Sequence, residues 1–147
     1  MIRFNSKTTE YVWLSNMYMT VFTDKNNFTW RGVESYFQAH KCHCEDDFYN
    51  IMKMDCFSAR KYGRSIQMRD DWHEIKLRVM TDAIRLKFIH EEFLKQKLLD
   101  TSGEDLEEYA PWDTKGSYWG IDAHGCGDNH TGKILMKVRG ELARGEI

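Results

Sequence analysis

The sequence predicts an α+β fold that is predominantly helical. Three observations point there. Residues 10–22 and 28–30 are rich in Tyr, Val, Trp, Phe and Thr and flank the polar stretch Asp24 to Asn27, the composition of a small N-terminal β-hairpin. After Gly32, apolar residues recur at helical spacing almost to the end of the chain. The single proline is Pro111, and no Ser/Gly linker, repeat or low-complexity tract interrupts the pattern, so residues 1–147 read as one domain.

The elements follow in order. A helix over residues 33–43 opens directly after Gly32, and a second over 45–54 carries Phe48, Ile51 and Met52. A short helix runs from Ser58, as N-cap, to Tyr62, with Gly63 ending it. Asp70 or Asp71 caps a long helix that reaches Phe88, and another spans Glu91 to Leu99 and stops before Gly103. The last helix starts at Asn129 and continues to Arg144, with Ile134, Leu135, Val138 and Leu142 on one stripe. Residues 103–128 are the least regular and hold Gly103, Gly116, Gly120, Gly125 and Gly127. Such glycines admit close backbone approach to a ligand or positive φ, or mark a long surface loop.

Composition narrows the function. A chain of 147 residues with 41% hydrophobic and 14% aromatic content can bury a core without disulfides and is not disordered. No apolar run approaches the ~20 residues that span a bilayer, and Met1-Ile2-Arg3-Phe4-Asn5 lacks a signal-peptide core, so the expectation is a cytoplasmic protein with no membrane partner. A net charge of −2 argues against non-specific nucleic-acid binding, although the blocks from Lys76 to Arg85 and Lys133 to Arg144 leave room for a local basic pocket. His40, Cys42, His43 and Cys44 invite a zinc reading, but no Cys-x-x-Cys pair occurs, so the expectation is reduced thiols and no metal. Gly-x-Ser-x-Gly, Walker and Gly-x-Gly-x-x-Gly loops are absent.

Three polar and aromatic sets remain. Glu34, Phe37, Gln38 and Lys41 share one helix face, with Glu34 in the first turn, where free backbone N–H groups favour its ionised form. Trp72, Lys76, Val79, Met80, Ala83 and Lys87 form a stripe in which two lysines interrupt apolar residues; they either snorkel or reach an anion, with Arg64 upstream as a second cation. Glu108, Asp113, Trp119 and Asn129 form the third set. Asp113 either caps a turn or steadies a developing cation beside the indole, and Asn129 either N-caps the last helix or opens a phosphate site there.

The ordered motifs Leu14-Ser15-Asn16, Val33-Glu34-x-Tyr36-Phe37-Gln38-Ala39-x-Lys41, Gly63-Arg64, Asp71-Trp72-x-x-x-Lys76-x-x-Val79-Met80 and Lys87-Phe88 continue with Leu98-Leu99-x-Thr101, Leu106-x-Glu108, Asp113, Trp119-Gly120 and Asn129-x-x-Gly132-x-x-Leu135-Met136-x-x-Arg139. Together they resemble the NADAR, or YbiA-like, family over nearly the whole chain. The resemblance implies a mostly helical α+β domain that hydrolyses N-glycosidic bonds to ribose. The implied substrates are riboflavin-pathway ribosylamino-pyrimidine phosphates or ADP-ribosyl guanine in nucleic acid; the latter would mean reversal of ADP-ribosylation and transient DNA binding. No cofactor is implied. The resemblance gives Glu34, Asp113 and Lys41 as catalytic candidates, and Arg64, Trp72, Lys76, Trp119, Gly120, Asn129, Ser15 and Asn16 as substrate-binding ones. Ser35 stands where the family commonly has His, and Tyr109-Ala110 where it has Ala-Ser, which bears on substrate choice.

Cleavage of a ribose C1–N bond builds positive charge on the sugar, which a carboxylate can stabilise while another activates water. Glu34 and Asp113 are assigned to those two roles jointly, the tryptophans to the base or sugar, and Arg64 and Lys76 to phosphate. A second route uses Lys41 or Lys76 in a Schiff base with ring-opened ribose. The rival class is a non-catalytic ADP-ribose or NAD-binding module, which needs the rings and cations but neither carboxylate.

Overall fold

The computed structural model describes residues 1–114 and 116–147. Among them are four short strands, β1 (Ile2–Phe4), β2 (Phe22–Thr23), β3 (Thr29–Trp30) and β4 (Leu106–Glu108). Six helices account for most of the regular structure: α1 (Val33–Lys41), α2 (Glu45–Met52), α3 (Cys56–Gly63), α4 (Trp72–His90), α5 (Glu92–Leu99) and α6 (His130–Ala143). The fold is therefore α+β and mostly helical, as the pattern predicts. The chain divides into two compact units, one of residues 16–91 and one of residues 1–15 with 92–147.

In the unit of residues 16–91, the predicted hairpin exists but is short. Phe22 pairs with Trp30 and Thr23 with Thr29 in antiparallel register. Asp24 builds the turn: its Oδ1 accepts from the backbone N–H of Asn26 at 2.9 Å and of Phe28 at 3.1 Å, and its Oδ2 accepts from Trp30 Nε1 at 2.9 Å. The first strand does not extend back through residues 10–21. Val12–Leu14 is a 3-10 turn, in which Trp13 and Leu14 are both buried; a one-sided strand cannot bury consecutive residues.

Trp30 is fully buried and anchors an aromatic cluster on one side of α1. Tyr36 and His40 stack with ring centres 4.0 Å apart, and Trp30 meets Tyr36 edge-on at 5.3 Å and Phe48 at 5.4 Å. Such pairs contribute roughly 0.5–1.5 kcal/mol each beyond area burial. Helix α1 stops at Lys41, two residues earlier than predicted, because Cys42 turns extended and bridges to Met68. Helix α3 begins at Cys56, not Ser58. Its cap is Asp55, whose Oδ1 accepts from Ser58 N–H at 2.8 Å, so Ser58 sits inside the first turn. Asp71 does occupy the N-cap position of α4, but its carboxylate pairs with Arg69 at 2.6 Å and makes no capping bond.

In the other unit, β1 and β4 pair in parallel, Ile2 with Leu106 through Phe4 with Glu108. Helix α6 packs on β4, and α5 on α6. Asn129 precedes α6 in a left-handed conformation (φ 51°) and does not cap it with its side chain. Its amide clamps β4 instead: Oδ1 accepts from Glu108 N–H at 3.1 Å and Nδ2 donates to Leu106 O at 2.9 Å. Gly132 permits that approach, since a Cβ there would lie 2.1 Å from Leu106 O. Gly120 does the same against Glu108 O at 2.3 Å.

Two expectations follow. Gly132→Ala forces backbone apart and is expected to destabilise by about 1–3 kcal/mol. Gly140→Ala, in the same helix, meets only the far end of the Arg144 side chain at 3.0 Å and is expected to be neutral or stabilising by up to about 1 kcal/mol. Urea melts of the pair check the contrast.

The second concerns Lys87, which is 1% exposed and whose pKa burial pulls from 10.5 down to about 7. Between those values the unfolded chain binds a proton that the folded chain does not. Stability from this group therefore rises as pH climbs from about 7 towards 10.5, by about 1.4 kcal/mol per pH step inside the window, and is flat below it. Lys87→Met is expected to lack that slope; unfolding free energies of both proteins at pH 7, 8 and 9 measure the difference.

Candidate active site

Glu34 enters α1 through its backbone: its N–H donates to Asn16 O at 3.1 Å. Its side chain points along the face predicted from helical spacing. Gln38 Nε2 donates to Glu34 Oε1 at 2.8 Å across one helical turn. One turn further, Lys41 Nζ donates to Gly63 O at 2.6 Å, tying the same face to the end of α3. Burial pushes the Glu34 carboxyl above its usual value, opposed by the Gln38 hydrogen bond and by the charges of Arg60, Lys41 and Arg64. A first-turn position alone predicts a favoured carboxylate; desolvation outweighs it here. Burial also lowers Lys41, against the pull of Glu34. The arrangement is a half-buried acid held by an amide, with the charges of Arg60, Lys41 and Arg64 acting on it.

Arg60 is not marked out by the sequence, although it stands one helical turn before Arg64 on α3. Gly63, a helix terminator beside Arg64 in the sequence pattern, also makes room for a side chain. A Cβ there would lie 2.0 Å from Gln38 Oε1. Gln38 Oε1 and Asn16 Oδ1 are buried without a hydrogen-bond partner among the described residues. Residue type alone signals neither.

The other predicted residues of this unit are placed less uniformly. Trp72 is 4% exposed and meets Phe37 edge-on at 4.8 Å, so its ring belongs to the packing of α4 on α1 and little of it is open to a base. Arg64 is exposed at the end of α3, and Lys76 is half-buried on α4. Lys87, expected as a snorkelling or anion-reaching amine on the same stripe, is fully enclosed, with Nζ 5.2 Å from the Phe88 ring centre and 5.7 Å from that of Tyr18. A cavity of about 520 Å³ in this unit opens on the opposite face of α1, against Tyr36 and His40, and is lined by none of the predicted site residues.

Ser15, Asp113, Trp119, Gly120 and Asn129 belong to the other unit. Ser15 is buried and closes the 3-10 turn by donating from its N–H to Val12 O at 2.9 Å. Asp113 is half-buried, and its N–H donates to Ala110 O at 3.1 Å across the turn made by Pro111 and Trp112. Trp119 packs edge-on against Tyr118 at 4.7 Å, and Tyr118 lies 4.3 Å from His130. The start of α6 is not an open phosphate site. The N–H groups of Asn129, His130 and Thr131 donate to the carbonyls of Gly120, Tyr118 and Trp119 at 2.9–3.2 Å. Gly120 and Gly127 likewise serve contact between backbones: a Cβ on Gly127 would lie 2.3 Å from Gly120 O.

All four cysteines are free thiols. Burial pushes the Cys42 thiol up to about 12 and raises that of Cys56. Cys126 Sγ approaches the backbone carbonyl of His124 at 3.9 Å. Among the described residues no group of three His, Cys, Asp or Glu side chains is placed to hold a metal ion. Nor is any described helix long and apolar enough to cross a membrane.

Comparison with known proteins adds to this geometry. The sequence pattern of the NADAR domain matches residues 3–143. The chain is 36% identical to the N-glycosidase YbiA of Escherichia coli over 118 residues, covering 78% of this chain and 72% of that protein. It is 34% identical to an N-glycosidase of Nostoc punctiforme over 119 residues, covering 77% and 74%. A chloroplastic riboflavin biosynthesis protein of Zea mays matches at 36% over 78% of this chain, which spans only 20% of that longer protein. The solution structure of E. coli YbiA superposes with a TM-score of 0.87 at 32% identity, covering 99% of this chain and 86% of that one.

Proposed function

The chain belongs to the NADAR domain family, and from that membership we propose that it is an N-glycosidase hydrolysing the C1–N bond of a ribose. Its substrate is a ribosylamino-pyrimidine phosphate or an ADP-ribosylated guanine. The N-glycosidase names of the E. coli and Nostoc relatives support the reaction class. The riboflavin-biosynthesis name of the maize relative and the net charge of −2 support the free pyrimidine nucleotide as the first substrate to assay.

The observation that carries the reading is the Glu34 carboxyl. Leaving-group departure puts positive charge on the sugar, and water must then lose a proton to reach C1. A base works best when its pKa lies near the working pH. Glu34 is moved in that direction by burial, yet the Gln38 hydrogen bond and the cations of Arg60, Lys41 and Arg64 keep its ionised form accessible. Glu34 takes the proton of the attacking water. Lys41, with Nζ donating to Gly63 O, acts as a neighbouring charge and not as the nucleophile of a Schiff base. A non-catalytic ADP-ribose module has no use for an acid desolvated in this way.

The assay follows base release from ribosylaminouracil phosphate and from DNA carrying ADP-ribosylated guanine. Glu34→Gln is expected to lower kcat by on the order of 10²- to 10⁴-fold. Activity of the parent is expected to fall as pH drops through a pKa above the ordinary carboxylate value, since the base must be ionised. Asp113→Asn, assayed beside it, tests the second carboxylate. Borohydride added during turnover is expected to trap no protein–ribose adduct; an adduct at Lys41 would move the chemistry to the lysine. Binding of ADP-ribose without release from either substrate would turn the reading into the module.

A further inference from the structure

Gln38 is bound to Glu34 in a way that helix packing does not demand. It is 7% exposed, and its amide is split between two environments. Nε2 donates to Glu34 Oε1 at 2.8 Å, while Oε1 of the amide is buried with no partner among the described residues. A buried acceptor left without a donor costs about 1–3 kcal/mol. Unsatisfied groups of this kind call for an explanation beyond stability. The orphan oxygen lies against Gly63: a Cβ at that position would stand 2.0 Å from Oε1, 2.7 Å from Cδ and 3.3 Å from Cγ of Gln38. Gly63 is the last residue of α3, whose backbone is helical there, where alanine is the better helix former. Its glycine is therefore explained by the amide it faces.

The chemistry of this contact is one-sided. An amide N–H can only donate, so the Glu34 oxygen it touches must accept. A proton on Oε1 would weaken that oxygen as an acceptor and with it the bond to Gln38, so protonation of Glu34 is favoured at Oε2.

We propose that Gln38 is a positioning residue for the reaction: its amide holds Oε1 of Glu34 as a fixed acceptor, so that Glu34 gains and loses its proton preferentially at Oε2, and Gly63 is glycine to make room for that amide. The role rests on Glu34 acting as the base of the glycosidase reading. The C1–N bond breaks with its electron pair going to the leaving nitrogen, which takes up a proton from solvent; as Oε2 takes a proton from water, the O–H bond of water breaks, its electron pair forms the O–C1 bond, and Oε1 keeps its hydrogen bond throughout. The other groups that act on Glu34 are Lys41 on its own helix and Cys56, Arg60 and Arg64 on and beside α3. The variants below change none of these residues, and Gln38→Met also leaves the Lys41 bond to Gly63 O untouched.

The test titrates Glu34 by carboxyl-carbon NMR in the parent, Gln38→Met, Gly63→Ala and the double variant, without substrate. Methionine keeps the length of the side chain and removes the donor. Gln38→Met is expected to raise the Glu34 pKa, because the lost bond favoured the carboxylate. Gly63→Ala, which displaces the amide, is expected to raise it as well. The double variant is expected to titrate as Gln38→Met alone, since the added methyl group then has no amide to displace. In the turnover assay, Gln38→Met is expected to lose on the order of 10- to 100-fold in kcat with KM unchanged, and its acidic limb to move up with the Glu34 titration.

A Gln38→Met protein whose Glu34 titrates as in the parent overturns the proposal, as do additive effects of the two substitutions. If Gly63→Ala does not fold, the Gln38→Met titration decides alone. Full activity of Glu34→Gln would overturn the glycosidase role of Glu34 itself. That failure is separable, because the titration needs no turnover.

Discussion

A half-buried carboxyl group on α1, partly desolvated, is the constraint around which the unit of residues 16–91 is organised. Desolvation raises its pKa, and three cations with one amide hydrogen bond pull the other way. Desolvation prevails but is held in check: full burial without partners would keep the acid neutral, and full exposure would make it an ordinary weak base. The balance depends on distance, so the helix that carries Glu34 must not turn or slide. The opposite side of α1 fixes it. Tyr36 and His40 stack on each other and pack with Trp30 and Phe48, while Trp30 is itself bound through its indole N–H to Asp24 in the hairpin turn. The short hairpin thus holds the indole that locks α1, and its shortness is no handicap because Asp24 closes the turn with two backbone bonds.

Glycine does a different job in this protein from the one its loop-rich distribution suggests. Gly120, Gly127 and Gly132 sit where one backbone passes within a Cβ radius of another, and Gly63 where a helix end meets a side-chain amide. Three successive N–H groups at the start of α6 are satisfied by the loop of residues 118–120. The glycine-rich segment therefore packs against itself and against β4, and the positive end of the α6 dipole is occupied by carbonyl oxygens from the same unit. An anion arriving there would have to displace three hydrogen bonds before making its own. Gly103, Gly116 and Gly125, by contrast, have positive φ and open space around them, which is ordinary turn chemistry.

Much of this architecture is legible in the sequence where a period is long enough to read. Helices α1, α2, α4, α5 and α6 repeat an apolar face over two or more turns, and their extents differ from the sequence reading by a few residues at most. The face of Glu34, Gln38 and Lys41 follows from helical spacing and is the face that meets the end of α3. Strands β1 and β4 are three residues each, too short to show alternation, and they pair across about a hundred residues of chain, so nothing local announces them. The cap of α3 is ambiguous in sequence because Asp55 and Ser58 are both capping residue types three positions apart, and only geometry tells donor from acceptor. Lys87 reads as a surface amine because lysine is rarely enclosed; its neighbours on α4, Ala83, Ile84 and Phe88, are all fully buried, and their spacing is the one signal that sequence offers for its enclosure.

The sequence is silent on the orientation of an amide, and the chemistry of the Glu34 cluster turns on it. Residue types at helical spacing place Gln38 beside Glu34, but they do not say which end of the amide faces the acid. The hydrogen bond does: an ionised carboxylate only accepts, so the N–H faces Glu34 and the oxygen faces α3, where a residue larger than Gly63 would push the side chain aside. A residue on one helix with no side chain at all thereby leaves room for the amide that biases which oxygen of an acid on another exchanges its proton. The unsatisfied oxygen of Gln38 is the mark of that arrangement: a core selected for stability alone would give this acceptor a donor or replace the amide by an apolar group.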